Sequence, residues 1–154
     1  MQVEFEFHDN SENVLNDLGE EFKMRMEEAV NIVRNNVLEM LSHQGTGRLY
    51  KVPGTKNTFY TASAPGEPPA VVTGDLKKSI MTNIIVEKDT IIGEVGSGLS
   101  FNSKGEGGVG VDYGPMLEYG TMKMLPRPWL RPSFEQSQAE VEDILQQPVG
   151  MEIE

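Results

Sequence analysis

Between Val14 and Leu41 apolar side chains return every third or fourth residue, at Val14, Leu15, Leu18, Phe22, Met26, Val30, Val33, Val37, Met40 and Leu41. That spacing lines one face of an α-helix, and the rest of the chain must be arranged around the stripe. Asp9-Asn10-Ser11 supplies side chains able to cap the helix start. The acids of the first turns suit the positive end of its dipole, and Gly45 with Gly47 ends it. The pattern predicts a helix from about Glu12 to Ser42, weakened in its first third by Gly19 and about 46 Å long at 1.5 Å per residue. A compact domain of 154 residues does not need such a length, so one end is expected to project or to lie along a neighbour. The stripe itself reads as core, not as a cofactor face.

Strands come next. Val3, Phe5 and Phe7 alternate with Gln2, Glu4, Glu6 and His8, which predicts a half-buried strand over residues 2–8. Ser79 to Val95 reads as a hairpin rich in β-branched residues, with its turn at Lys88-Asp89. A closing helix carries Phe134, Val141, Ile144 and Leu145 and stops at Pro148. These elements predict an α+β fold: a small antiparallel sheet packed on a long N-terminal helix, with a shorter C-terminal helix. They fit one domain over residues 1–148, followed by a frayed acidic tail at 149–154.

Two segments resist regular structure. Residues 45–75 are punctuated by nine glycines and prolines, and a connector of that length inside a small domain tends to be functional or to lie against something else. Within it Ala64-Pro65-Gly66-Glu67-Pro68-Pro69-Ala70 is expected to form an extended arm, stiff in the polyproline sense, before Thr73 caps a short turn carrying Leu76 and Ile80. Residues 96–110 hold six glycines and only Leu99, Phe101 and Val109 to bury, which predicts a mobile loop.

The densest mixture of aromatics, glycines, prolines and arginines lies from Tyr113 to Ser133. Pro115 suits the first turn of a short helix carrying Met116, Leu117 and Tyr119 until Gly120 stops it. Pro126, Pro128 and Pro132 are expected to hold Leu125, Arg127 and Arg131 extended, with Trp129 strung between them. Trp, Tyr and Arg dominate interface hot spots. Tyr119, Arg127, Trp129 and Arg131, together with Pro65, Pro68 and Pro69 of the arm, are therefore the candidate contacts to another subunit, with Glu118 placed to pair with one of the arginines. Trp129 is also placed to plug the core.

Charge narrows the function. The net charge of −11 argues against ordinary duplex binding, which draws its affinity from Lys and Arg on phosphates. Residues 1–30 hold nine acids against Lys23 and Arg25, residues 135–154 hold six acids and no base, and the middle has eleven bases against nine acids. Without cysteine the chain has no disulfide, thiolate metal site or cysteine nucleophile. No basic start with an apolar run opens the chain and no stretch is apolar enough to span a membrane, so a soluble, cytoplasmic protein is expected. Gly105 to Gly110 matches G-x-G-x-x-G formally, but Tyr113-Gly114-Pro115 intervenes before any helix, so it is not a dinucleotide fingerprint. His8 and His43 lack partners at metal-binding spacing and read as surface residues. No reaction, metal or cofactor is suggested.

Taken in order, Thr46-Gly47-Arg48-Leu49-Tyr50, Ala62 to Ala70, Thr73-Gly74-Asp75-Leu76-Lys77-Lys78-Ser79-Ile80, Tyr113 to Thr121 and Pro126-Arg127-Pro128-Trp129-Leu130-Arg131-Pro132-Ser133 resemble the tail-component family of long-tailed bacteriophages. These are the gp-ten-like tail-completion or neck proteins. The resemblance spans most of the chain; the glycine-rich insertion at 96–110 and the acidic tail depart from it. It implies a structural virion protein, made in the bacterial host cytoplasm, whose copies close a ring between head connector and tail tube. The implied ring is sixfold, its neighbours are the adjacent neck and tail-tube proteins, and DNA is passing cargo. A head-closure protein, a binding module using the proline-rich arm, and a metal-dependent hydrolase needing convergent acids are the alternatives.

Overall fold

The structure, a computed structural model, describes residues 2–6, 12–88, 90–97 and 113–148. The chain folds as α+β in the order β1 (Gln2–Glu6), α1 (Glu12–Met40), β2 (Leu49–Lys51), β3 (Phe59–Thr61), α2 (Asp75–Lys78), β4 (Ile80–Val86), β5 (Thr90–Ser97), α3 (Gly114–Tyr119) and α4 (Leu130–Leu145). The two long helices and the β4–β5 hairpin fall where periodicity places them. The expected capping residues Asp9-Asn10-Ser11, the end of the first strand with His8, the G-x-G-x-x-G match, residues 98–110 of the expected mobile loop and the acidic tail at 149–154 lie outside the described residues. Gly96 and Ser97, expected in that loop, belong to β5 instead.

Helix α1 is the spine. Met26, Val30, Val33, Val37 and Leu41 are buried along its apolar stripe, joined in one core by Ala29, Leu76, Ile80, Ile91, Val95, Trp129 and Val141. Strands pair antiparallel in the order β1-β5-β4, and α1 packs against both β4 and β5. Gly93 permits that approach: a Cβ there would lie 2.5 Å from Val30 Cγ1 and 2.7 Å from Met26 Sδ. Gly93→Ala is therefore expected to overpack the helix–sheet contact and lower stability by about 1–3 kcal/mol, measured by denaturant unfolding. Gly96→Ala, with open space around its Cβ, is the control.

Helix α4 lies against α1 through small side chains. Ser133 and Ser137 are fully buried, each returning its hydroxyl to the carbonyl four residues earlier at 2.5 and 2.7 Å, and Asn36 of α1 donates to Ser137 Oγ at 2.7 Å. At the far end the Arg25 guanidinium donates to the carbonyls of Gln147 and Pro148 and pairs with Glu21. These carbonyls lie just beyond Leu145, the last residue of α4, so the cation fixes the segment that leaves the helix and sits near the negative end of its dipole. The two helices therefore run antiparallel, and α1 begins thirteen residues before Arg25, running on past the end of α4.

Residues 45–75 depart from expectation. Pro53 and Gly54 fall in the turn and the other seven glycines and prolines lie before β2 or after β3, leaving room for an antiparallel hairpin in which Leu49 faces Thr61, Tyr50 faces Tyr60 and Lys51 faces Phe59. The two tyrosine rings stand 6.1 Å apart, centroid to centroid. The expected extended arm is also folded back. Pro65-Gly66 forms a tight turn with Gly66 at φ 86°, closed by the Glu67 N–H donating to the Ala64 carbonyl at 3.1 Å. Proline followed by a left-handed glycine is the signature of a type II turn, not of polyproline.

Candidate interaction surface

The stretch after Tyr113 is braced mainly by hydrogen bonds to its own backbone. Pro115 opens α3 and Gly120 ends it at φ 77°, where a Cβ would lie 2.7 Å from the Met124 carbonyl oxygen. Thr121 and Met124 then pair across a four-residue turn, the Thr121 N–H donating to Met124 O at 2.8 Å. The Arg127 N–H donates to the Leu117 carbonyl at 2.7 Å, and the Gly66 N–H to the Pro126 carbonyl at 3.0 Å. Two chain segments some sixty residues apart are locked together.

Glu118 is the centre of this knot. Its carboxylate is buried and accepts the N–H groups of Trp129 at 2.7 Å, Leu130 at 2.9 Å and Arg131 at 3.0 Å. These are the first donors of α4, which have no partner within the helix. Trp129, the residue at the N-cap, offers no side-chain cap, so a carboxylate from another helix takes the role. The expected pairing of Glu118 with an arginine side chain is not formed.

The candidate contact residues divide accordingly. Trp129 is 2% exposed and its indole N–H donates to Gly114 O at 3.1 Å, so it belongs to the core of the subunit. Arg127 is part-buried, its Nε and Nη2 reaching the Ser63 carbonyl at 3.3 and 3.2 Å and its Nη1 the Leu125 carbonyl at 3.2 Å. It ties the turn to the segment after β3. Arg131 is exposed and pairs with Glu135 at 3.0 Å; it is helical, not extended, because Pro132 falls in the first turn of α4 where no N–H is needed. Pro69 is buried, Pro68 half-buried and Pro65 exposed, so the arm offers little to a partner. Tyr119, at 79% exposure, is the large aromatic side chain of the set that faces solvent.

Sequence reading missed what stands beside it. Met122 is fully exposed and Leu125 is 64% exposed on the braced turn, while Leu49 and Phe59 are 66% and 56% exposed on the β2–β3 hairpin. Between turn and hairpin lies a cleft of about 520 Å³ whose walls include Val52, Tyr60, Val71, Leu117 and Met124, with Asp75, Lys77 and Arg127 at its polar edge. Burial, with Asp75 nearby, raises the Tyr113 hydroxyl above its usual pKa in this cleft, an effect opposed by a backbone hydrogen bond from Leu76.

No family model, curated protein or solved structure matches this chain. Its own geometry carries the reading.

Elsewhere polar groups serve the fold. Glu67 clasps the Thr46 hydroxyl, the Ala64 N–H at 2.8 Å and the Thr46 N–H at 3.2 Å; these donors, the hydroxyl foremost, hold its carboxyl below the ordinary glutamate value. The clasp is complete above that ordinary value and is lost as pH falls through the lowered one. His43 is half-buried, with Nε2 4.0 Å from Glu67 Oε2 and no hydrogen bond to that nitrogen. The N-cap position of α2 is Gly74, at φ 77°, and not Thr73 as expected; the Thr73 hydroxyl, one residue earlier, accepts from the Asp75 N–H at 3.4 Å. Among the described residues no group of three or more His, Asp or Glu side chains is placed to hold a metal ion, and no helix is long and apolar enough to cross a membrane.

Proposed function

We propose that this chain is a structural subunit of a tailed bacteriophage that assembles into a ring between the head connector and the tail tube, in the tail-completion position. It works by binding, without a catalytic step. The observation that carries this reading is the presentation of Tyr119, Met122 and Leu125 on a turn held from both sides by backbone hydrogen bonds. Large apolar side chains displayed on a preorganised loop lose little entropy on contact and gain the burial they lack in the isolated subunit. The ordered motifs that resemble the tail-component family point the same way. The exposed turn is then the surface offered to the neighbouring neck or tail-tube protein, and the acidity of the chain lets DNA pass without sticking.

The test is depletion. Phage lacking this protein are expected to accumulate separate heads and tails under the electron microscope, and purified protein added to the extract should join them. A variant with Tyr119, Met122 and Leu125 all replaced by Ser, still folded by circular dichroism, should fail to do so. Joined, infectious particles made without the protein would overturn the proposal.

A further inference from the structure

We infer that copies of this protein associate head to tail, the outer face of the β2–β3 hairpin of one copy seating on an exposed stripe of helix α1 in the next. The inference deepens the ring reading by naming its contact.

The hairpin has two faces. Tyr50 and Tyr60 share the one that reaches the cleft, so Leu49, Lys51 and Phe59 share the other by the period of two. On that outer face Leu49 and Phe59 are largely exposed and Lys51 lies directly opposite Phe59. Residues 45–66 contain Arg48, Lys51 and Lys56 and no acid, in a chain whose net charge is −11. All three bases are exposed. A two-stranded hairpin showing two large apolar side chains to water among cations is poorly accounted for by the subunit alone.

Helix α1 carries the complement. Glu20, Met24, Glu27 and Glu28 are all exposed, and the three acids stand three or four residues from Met24, which places the four on one side of the helix. Met24, 62% exposed, is an apolar side chain among acids, as Leu49 and Phe59 are apolar side chains among bases. The adjoining end of α4 adds exposed Glu142 and Asp143, because Arg25 holds the carbonyls of Gln147 and Pro148 beside this part of α1.

The two surfaces do not meet within one subunit, since both are exposed. The hairpin is rooted just beyond the C-terminal end of α1, where the Gly47 N–H donates to the Ala62 carbonyl at 2.8 Å. Met24 lies about 25 Å back along the helix from Leu41 at 1.5 Å per residue. The subunit is thus dipolar, basic and apolar at one end of its spine and acidic and apolar at the other. A contact between two different faces of identical copies propagates, and it closes into a ring when the rotation per copy allows.

Charge exchange in the full-length protein tests this. Lys51→Glu with Lys56→Glu makes the hairpin acidic, and Glu27→Lys with Glu28→Lys makes the helix stripe basic; the four positions are exposed, so both variants should keep the wild-type melting temperature. In sedimentation at low salt the wild type is expected to form oligomers and each variant alone to associate at least tenfold more weakly. An equimolar mixture of the two variants should recover association in even-numbered assemblies, because each hairpin then meets a stripe of opposite charge. Leu49→Ser with Phe59→Ser should weaken association at any salt concentration. Oligomers of the wild type that ignore both exchanges would overturn this contact while leaving the ring intact. A wild type that remains monomeric would also overturn it, whereas a role at the head–tail joint is decided separately by depletion.

Discussion

Replacing Glu118 by Ala is expected to lower the stability of the isolated subunit by about 3 kcal/mol. Three backbone donors at the start of α4 converge on this one carboxylate. Hydrogen bonds to a charged acceptor contribute about 1.5–3 kcal/mol each, and a buried donor left without a partner costs about 1–3 kcal/mol. The sum is discounted because Leu130 and Arg131 are only part-buried at these bonds and water can reach their N–H groups once the side chain is gone. Glu118→Gln keeps the shape but turns one acceptor into an N–H₂ facing donors, so an intermediate loss is expected. Denaturant unfolding of the three proteins checks the order. If Glu118→Ala were as stable as the wild type, the carboxylate would not be the cap of α4. Because the damage lies at the root of the exposed turn, both variants should also display Tyr119, Met122 and Leu125 less rigidly, seen as faster amide exchange over residues 117–127.

Trp129→Ala is the second large effect, about 3–5 kcal/mol for removing a buried aromatic side chain. Trp129 is 2% exposed and packs in the cluster that joins α1 to α4, so the space it leaves is bounded by helices that cannot easily close over it. Its indole N–H also satisfies the Gly114 carbonyl at the start of α3, and Trp129→Phe, which keeps most of the volume, should still lose about 1–2 kcal/mol through that bond. As the only tryptophan it reports its own environment. The folded monomer should emit at short wavelength and shift to the red on unfolding. Emission typical of water-exposed indole in the monomer would show that Trp129 is not core.

These two residues also explain why separate motifs in the sequence belong together. Glu118 lies in the Tyr113–Thr121 block and the helix it caps begins in the Pro126–Ser133 block. From sequence alone the prolines around Trp129 read as a rigid segment, with Trp129 a candidate for the core or for a contact to another subunit. In the structure Trp129 is part of that core, and Arg127 holds the carbonyl of Ser63. Their shared role in the fold is independent of any role in assembly.

Local pattern was enough for the elements that bury one face along a regular period. The stripe from Met26 to Leu41 and the β-branched content of the β4–β5 hairpin could be read directly, because a helix repeats on a fixed spacing with one face leaving water and β-branched side chains fit a pleated, half-buried strand. The sequence also determined the uneven distribution of charge. What tertiary structure alone decided are partnerships across long separations: Glu118 as the cap of α4, Arg25 on the carbonyls just beyond the end of the same helix, Arg127 on Ser63, and the turn of Pro65-Gly66 against Pro126. A backbone donor or acceptor leaves no signature in the side-chain sequence, so the groups that satisfy it become visible only once the chain has folded. The same holds for Leu49, Phe59, Met122 and Leu125, whose apolar character predicts burial until the fold places them on turns and a hairpin facing water.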